Sequence, residues 1–192
     1  LDTHSSVVPA TDPVAPDPAR RGHLDLAEVT VTYPGADAPV LCDVDLSARP
    51  GRTVAVIGST GSGKTTLLNL VPRLFDTSSG VVSVSGVSVR DLEPSVLWDQ
   101  IGLVPQKAYL FSGTVRSNLE HGKGDATEAE MWAALDVAQA RDFVEALPEG
   151  LDAPVAQGGT NFSGGQRQRL AIARAVVREP AIYLFDDSFS AL

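Results

Sequence analysis

The chain has 192 residues, of which 43% are hydrophobic and 20% are charged, a composition typical of globular domains rather than disordered chains. Its net charge of −9 argues against a broad cationic surface for nucleic acid. The single cysteine, Cys42, excludes an intramolecular disulfide. No apolar run approaches the ~20 residues of a membrane span, so we expect this stretch of chain alone to be soluble.

The predicted elements follow one another as strands and helices. Residues 1–22 are rich in proline and lack a hydrophobic period, so we expect a flexible tether or linker. Because the chain does not begin with Met, we expect it to be a piece of a longer protein. Hydrophobic alternation predicts strands at 24–33 and 40–46 and a hairpin at 80–89, and apolar runs predict buried strands at 52–57 and 181–185. Helices are predicted at about 63–75, 127–147 and 163–178. This order indicates an α/β domain with antiparallel strands at its beginning.

The sharpest motif is G-S-T-G-S-G-K-T at residues 58–65, which matches the phosphate-loop pattern G-x-x-x-x-G-K-[ST]. Glycines allow backbone N–H groups to face phosphate oxygens, and the helix predicted to begin near Gly63 adds the positive end of its dipole. Lys64 would contact the β- and γ-phosphates, and the Thr65 hydroxyl would ligate Mg²⁺. The alternative is a glycine-rich turn that contains a lysine by chance. The motif predicts a nucleotide site.

Two further places could face a bound nucleotide. Asp186 follows the predicted strand 181–185, at the edge of an α/β sheet where ligands bind, so it could complete the Mg²⁺ shell or merely cap a turn. Ser163 is a good N-cap, and the two glycines after it leave helical N–H groups open to an anion. The alternative for this segment is a well-capped helix with a basic face, formed by Arg167, Arg169 and Arg174.

With these motifs the chain resembles the nucleotide-binding domain of ABC transporters, specifically the exporter type, from about residue 23 to its end. The family signature L-S-G-G-Q corresponds to F-S-G-G-Q at 162–166. Further matches are Tyr33 in V-T-Y-P-G, Gln106 in V-P-Q, the stretch L-F-S-G-T-V-R-S-N-L at 110–119, and S-A-L at 190–192. The resemblance implies a P-loop NTPase core with a parallel sheet, an N-terminal antiparallel β-subdomain and an α-helical signature subdomain at about 107–165. Residues 23–192 would form this domain, truncated at its C-terminus.

The resemblance also implies roles for single residues, with ATP and Mg²⁺ as cofactors. Tyr33 would stack on adenine, and Asp187 would polarise the attacking water. The implied catalytic residues are Lys64, Gln106 and Asp187, and the implied metal ligands are Thr65, Gln106 and Asp186. The implied nucleotide contacts are Tyr33, Gly58, Ser59, Thr60, Gly61, Ser62, Gly63, Lys64, Thr65, Thr66, Ser163, Gly164, Gly165 and Gln166. The last four would serve the site of a second such domain, in a head-to-tail dimer.

The chain departs from the family at three places. Asp187 stands where active members carry glutamate, and V-A-Q-G-G at 155–159 stands where exporters commonly carry G-E-R-G. A shorter carboxylate positions water less well, because catalysis tolerates displacements of about 1 Å poorly. We therefore expect the weak-site subunit of a heterodimeric exporter, with a competent homodimer as the alternative. The chain also ends before the family's γ-phosphate histidine, so this piece alone is expected to be a weak or inactive ATPase.

The predicted function is the ATPase motor domain of a membrane exporter, at the cytoplasmic face of the cell membrane, with its transmembrane domain upstream on the same polypeptide. A soluble ABC ATPase acting on nucleic acid or ribosomes is the first alternative, against which the −9 charge and the stretch 110–119 count. A regulatory nucleotide-binding subunit with little hydrolysis is the second. We expect no nucleic-acid partner, and the transported substrate is not predicted.

Overall fold

The computed structural model describes residues 7–188 and divides into two compact units, with the boundary between Ile101 and Gly102. Unit 1 is the part up to residue 101, and unit 2 is the part from residue 102. No helix within residues 7–188 has the length and apolar character needed to cross a membrane.

Unit 1 is built on a four-stranded antiparallel sheet in the order β2-β1-β3-β4. Its strands are β1 (Leu24–Val31), β2 (Leu41–Ala48), β3 (Ser79–Val84) and β4 (Val87–Ser88), and its helices are α1 (Lys64–Leu70) and α2 (Pro94–Asp99), with a 3-10 turn at Pro18–Arg20. The predicted strands at 24–33 and 40–46 and the hairpin at 80–89 are confirmed.

A bulge in β1 shifts the face that the strand buries. Leu24 and Leu26 are buried, and the alternation then slips so that Val29 and Val31 are buried as well. The slip falls at Glu28, whose φ of +51° lies in the left-handed region, and the register with both neighbouring strands changes there. The extra residue keeps all four apolar side chains in the core of unit 1.

The predicted buried strand at 52–57 is wrong. These residues form no strand in the structure, and their apolar side chains are exposed: Val54 by 46%, Val56 by 43% and Ile57 by 94%. A strand needs neighbours that satisfy its N–H and C=O groups, and this segment joins none of the described sheets. The predicted helix at 63–75 is also shorter, since α1 ends before Pro72, and Arg73 has φ +54°.

The proline-rich segment is hydrogen-bonded to the rest of unit 1. The N–H of Val14 donates to the Asp91 carbonyl at 2.7 Å, and the N–H of Asp17 donates to the Ser85 carbonyl at 3.0 Å. Nη2 of Arg73 donates to the Val8 carbonyl at 2.9 Å. The role of residues 1–22 as a linker stays a prediction, and so does the domain boundary between residues 22 and 23.

Unit 2 packs short helices around one apolar core. Its strands are β5 (Ile101–Val104, starting at the boundary), β6 (Gly113–Thr114), β7 (Pro154–Val155) and β8 (Ile182–Phe185), and its helices are α3 (Val115–Glu120), α4 (Glu128–Val137), α5 (Arg141–Glu145) and α6 (Gly164–Val176). β5 pairs with β8, β6 pairs with β7, and 3-10 turns occupy Gly150–Asp152 and Gln157–Gly159. Fully buried side chains of α3, α4 and α6 meet in this core, among them Leu119, Met131, Leu135 and Leu170.

Two of the predicted elements of unit 2 are confirmed and one is divided. α6 and β8 match the helix predicted at 163–178 and the strand predicted at 181–185. The helix predicted at 127–147 is two helices, because Gln139 adopts φ +53° between α4 and α5. A non-glycine residue in the left-handed region ends a helix, so the apolar spacing continues across a break in the backbone.

Asn118 holds the stretch 110–119 in shape from inside unit 2. Its side chain is 2% exposed, donates from Nδ2 to the carbonyls of Phe111 and Thr114 at 2.8 and 3.0 Å, and accepts from the Phe111 N–H at 2.9 Å. One amide therefore satisfies three backbone groups of the turn that precedes α3.

We expect Asn118→Ala to lower the free energy of unfolding by about 2–4 kcal/mol, because it removes the side-chain partner of the Phe111 N–H and carbonyl, whereas the Thr114 carbonyl keeps the Ser117 hydroxyl at 3.0 Å. Urea unfolding followed by tryptophan fluorescence measures the loss. Glu120→Ala, at the exposed end of the same helix, is the matched control and should change the free energy by less than about 0.5 kcal/mol. Equal stability of the two variants would contradict this structural role of the Asn118 side chain.

Candidate functional site

The loop at 58–63 requires glycine at three positions, because of the backbone angle, the lack of space for a Cβ, or both. Gly61 and Gly63 have φ values of +82° and +87°. A Cβ at Gly63 would lie 2.8 Å from Cδ2 of Leu41 and 3.1 Å from the Val40 carbonyl oxygen. A Cβ at Gly58 would lie 2.5 Å from Oγ of Ser62. Residues 51–60 are exposed. The loop thus presents bare backbone to solvent, as a phosphate cradle requires.

Lys64 begins α1 and reaches back across this loop. Its Nζ donates to the carbonyl oxygens of Gly58 at 2.7 Å and of Ser59 at 2.8 Å. An ammonium group has three donors, so among the described residues one remains for a phosphate oxygen. The positive charge is held over the exposed backbone, where an anion would enter.

Tyr33 is fixed to the helix that follows the loop. Its hydroxyl hydrogen-bonds to Oγ1 of Thr66 at 2.9 Å, and its ring centroid lies 5.9 Å from that of Phe75, at an interplanar angle of 52°. The residue is 45% exposed, whereas Thr66 is buried. Part of the aromatic surface is therefore open to a stacking base. The contact with Phe75 was not expected from the sequence, since nothing in the spacing pairs residues 33 and 75.

The second group of predicted residues lies at the end of β8. The N–H of Asp186 donates to the Val104 carbonyl at 3.0 Å, and Asp187 follows with φ +47°. Nε2 of Gln106 donates to Oδ2 of Asp187 at 3.4 Å, and both side chains are exposed. The structure thus brings together two of the three predicted catalytic residues.

Ser188 supports this turn and was missed by the sequence analysis. Its Oγ donates to the Val104 carbonyl at 2.9 Å, and the residue is 1% exposed. The Val104 carbonyl therefore accepts hydrogen bonds from the residues on both sides of Asp187. A serine at the end of a strand is common in turns, so its sequence position carried no signal.

The predicted joint binding of Mg²⁺ by Thr65, Gln106 and Asp186 stays a prediction. Thr65 belongs to unit 1, whereas Gln106 and Asp186 belong to unit 2. The hydroxyl, amide and carboxylate oxygens of these residues are the donor types that a magnesium ion takes.

The segment 163–166 begins α6 with a capping box. Oγ of Ser163 accepts from the Gln166 N–H at 3.2 Å, and Oε1 of Gln166 accepts from the Ser163 N–H at 2.9 Å. A Cβ at Gly164 would meet no atom within 4 Å, so the space beside the first helical turn is open. Ser163 is confirmed as the N-cap. The contact of residues 163–166 with a nucleotide stays a prediction.

The three arginines of α6 are tied to the backbone of unit 2. Each guanidinium donates to a backbone carbonyl within unit 2, and burial lowers the pKa of Arg174. The pairs are Arg167 with Phe162 at 2.7 Å, Arg169 with Gln139 at 2.8 Å, and Arg174 with Tyr109 at 2.9 Å. The alternative of a well-capped helix with a basic face stays open beside the predicted nucleotide contact, since the capping box fits both. The match S-A-L at 190–192 lies outside the described residues.

Comparison with known proteins identifies the family. Residues 41–190 match the family model described as ABC transporter. The chain is 56% identical, over its whole length, to an uncharacterized ABC transporter ATP-binding protein of Mycobacterium bovis, and covers 33% of that protein. It is 44% identical to an ATP-dependent lipid A-core flippase of Chromobacterium violaceum, over 91% of this chain and 30% of the flippase.

A solved structure supports the same family. The structure of a bacterial Atm1-family ABC exporter with ATP bound aligns with a TM-score of 0.92 and 33% identity, over 100% of this chain and 33% of the exporter chain. The chain thus spans about a third of the length of the proteins it matches. The predicted α/β class, with an antiparallel β-subdomain and a parallel sheet, is confirmed. The chain belongs to the ABC transporter family.

Proposed function

We propose that this chain is the ATP-binding motor domain of an ABC exporter. The observation that carries the proposal is the arrangement of unit 1: Lys64 spans an exposed glycine loop, and α1, which it begins, also anchors the exposed ring of Tyr33. A phosphate cradle and a base platform on one helix suit a nucleoside triphosphate. The relatives named as a flippase and as an exporter support a role in transport.

ATP binding would use the residues already placed. The adenine would stack on Tyr33, and the phosphates would lie on the N–H groups of residues 58–66, with Lys64 beside the β- and γ-phosphates. Thr65, Gln106 and Asp186 would hold Mg²⁺, which would neutralise charge on the phosphate oxygens. Gln106 and Asp187 would orient the attacking water.

The second half of each site would come from another ABC domain. The segment 163–166 opens α6 with exposed glycine backbone and would face the γ-phosphate of the partner domain's nucleotide. ATP would close the two domains head to tail, and closure would move the membrane-spanning part at the cytoplasmic face of the membrane. We place that part upstream on the same polypeptide, consistent with the third of each relative that this chain covers.

Asp187 favours the role of weak-site subunit within this proposal. The carboxylate is one methylene shorter than glutamate, so it reaches less far toward the attacking water, and catalysis tolerates displacements of about 1 Å poorly. The intact segment 163–166 would serve a competent site on a homologous partner.

We expect Lys64→Ala to weaken ATP binding by about tenfold to a hundredfold, because a charged hydrogen bond to phosphate is lost. Isothermal titration of the purified chain with Mg²⁺–ATP measures the change. Lys123→Ala removes a surface charge in unit 2 that pairs with Glu130, and it should bind ATP like the unaltered protein. Undiminished ATP affinity in Lys64→Ala would contradict the proposed phosphate site.

We expect Asp187→Glu to raise the ATP turnover of the natural full-length protein in lipid vesicles, because the longer carboxylate reaches the attacking water. Asp187→Asn keeps the size and removes the charge, and it should abolish any turnover that remains. Turnover of the unaltered protein at about 1 s⁻¹ or faster, within the ordinary enzyme range, would contradict the weak-site role and favour a homodimer.

A further inference from the structure

The hydroxyl of Tyr33 has a partner that stacking alone does not require. It lies 2.9 Å from Oγ1 of Thr66, a buried residue in the first turn of α1. A phenylalanine would supply the same ring for stacking on a base. The hydroxyl therefore adds something other than ring area, and its single described partner lies beside the phosphate loop.

The contact restricts the orientation of the ring. The residue is 45% exposed, and the ring is packed on one side by Phe75 at a centroid distance of 5.9 Å. The hydroxyl oxygen lies on the axis about which χ2 turns, so the hydrogen bond to the buried Thr66 hydroxyl fixes the direction of that axis. The Phe75 ring limits rotation about the axis, because χ2 is otherwise broad and roughly two-fold. The hydrogen bond and the ring contact together hold the open face in one direction relative to α1.

We propose that Thr66 is a positioning residue for the base: its hydroxyl holds the Tyr33 ring in the orientation that receives adenine, at a set distance from the phosphate loop. The proposal deepens the proposed function and rests on it. Because Thr66 lies two residues after Lys64 on the same helical turn, one rigid element sets both the base platform and the phosphate charge. Preorganisation of this kind increases affinity by reducing the ordering that binding requires.

The test separates the base from the phosphates. Tyr33→Phe removes only the hydroxyl, and we expect it to weaken ATP binding by about threefold to tenfold, the range of one neutral hydrogen bond. Binding of inorganic tripolyphosphate, which has no base, should be unchanged. Tyr109→Phe makes the same chemical change at an exposed tyrosine in unit 2 and should leave both affinities unchanged.

A double-mutant cycle then tests the pair. Thr66→Val removes the partner hydroxyl while keeping the side-chain shape, and the double variant with Tyr33→Phe should lose little more ATP affinity than Tyr33→Phe alone. Thr66→Ser retains a hydroxyl, and its ATP affinity should be closer to that of the unaltered protein than the affinity of Thr66→Val. If Thr66→Val fails to fold, as judged by circular dichroism, Tyr33→Phe alone decides.

A spectroscopic readout reports the ring itself. The fluorescence of 2-aminopurine riboside triphosphate is quenched when the base stacks, and at saturating ligand the quenching should be smaller in Tyr33→Phe than in the unaltered protein. Equal ATP affinity and equal quenching in the two proteins would overturn the proposal. A parallel loss of ATP and tripolyphosphate affinity would also overturn it, since the hydroxyl would then act on the phosphate loop.

These results are distinguishable from a failure of the proposed function. If the unaltered protein binds neither ATP nor tripolyphosphate, the proposed function fails, and the positioning role fails with it. If the unaltered protein binds both ligands and Tyr33→Phe binds ATP equally well, only the positioning role is overturned.

Discussion

The glycine loop at 58–63 is the constraint on which the candidate site depends. Gly63 has φ +87° and lies so close to Val40 and Leu41 that a Cβ would collide with them. The start of α1 is thereby fixed against the beginning of β2, and with it Lys64 and Thr66. From these two residues follow the position of the ammonium group over the loop and the anchoring of Tyr33. The requirement for glycine at position 63 therefore sets the geometry of both the proposed phosphate contact and the proposed base contact.

In unit 2, hydrogen bonds to the backbone hold the candidate residues at the end of β8. The Val104 carbonyl receives the Asp186 N–H at 3.0 Å and the Ser188 hydroxyl at 2.9 Å. Two donors on one acceptor tie the chain down on both sides of Asp187, whose carboxylate then lies 3.4 Å from the Gln106 amide. The candidate catalytic residue Asp187 thus occupies an exposed turn, and hydrogen bonds to the Val104 carbonyl on either side hold that turn in place.

Sequence patterns predicted the motifs better than their surroundings. The glycine loop before α1, the N-cap Ser163 and the strand before Asp186 could be predicted because each depends on residues close in sequence. The apolar run at 52–57 gave a wrong strand, since composition does not specify a pairing partner. The break at Gln139 was missed because apolar spacing carries no information on a single left-handed residue. Asn118, Ser188 and the Tyr33–Thr66 pair depend on contacts between separated parts of the chain, which periodicity does not encode.

The central claim is that the backbone N–H groups of residues 58–66 bind the phosphates of ATP. Amide hydrogen exchange of the chain, with and without Mg²⁺–ATP, tests it most directly, because a bound phosphate slows exchange at the amides that contact it. We expect slower exchange across residues 58–66, with α4 unchanged as an internal reference. Unchanged exchange in residues 58–66 at a saturating ATP concentration would contradict the claim.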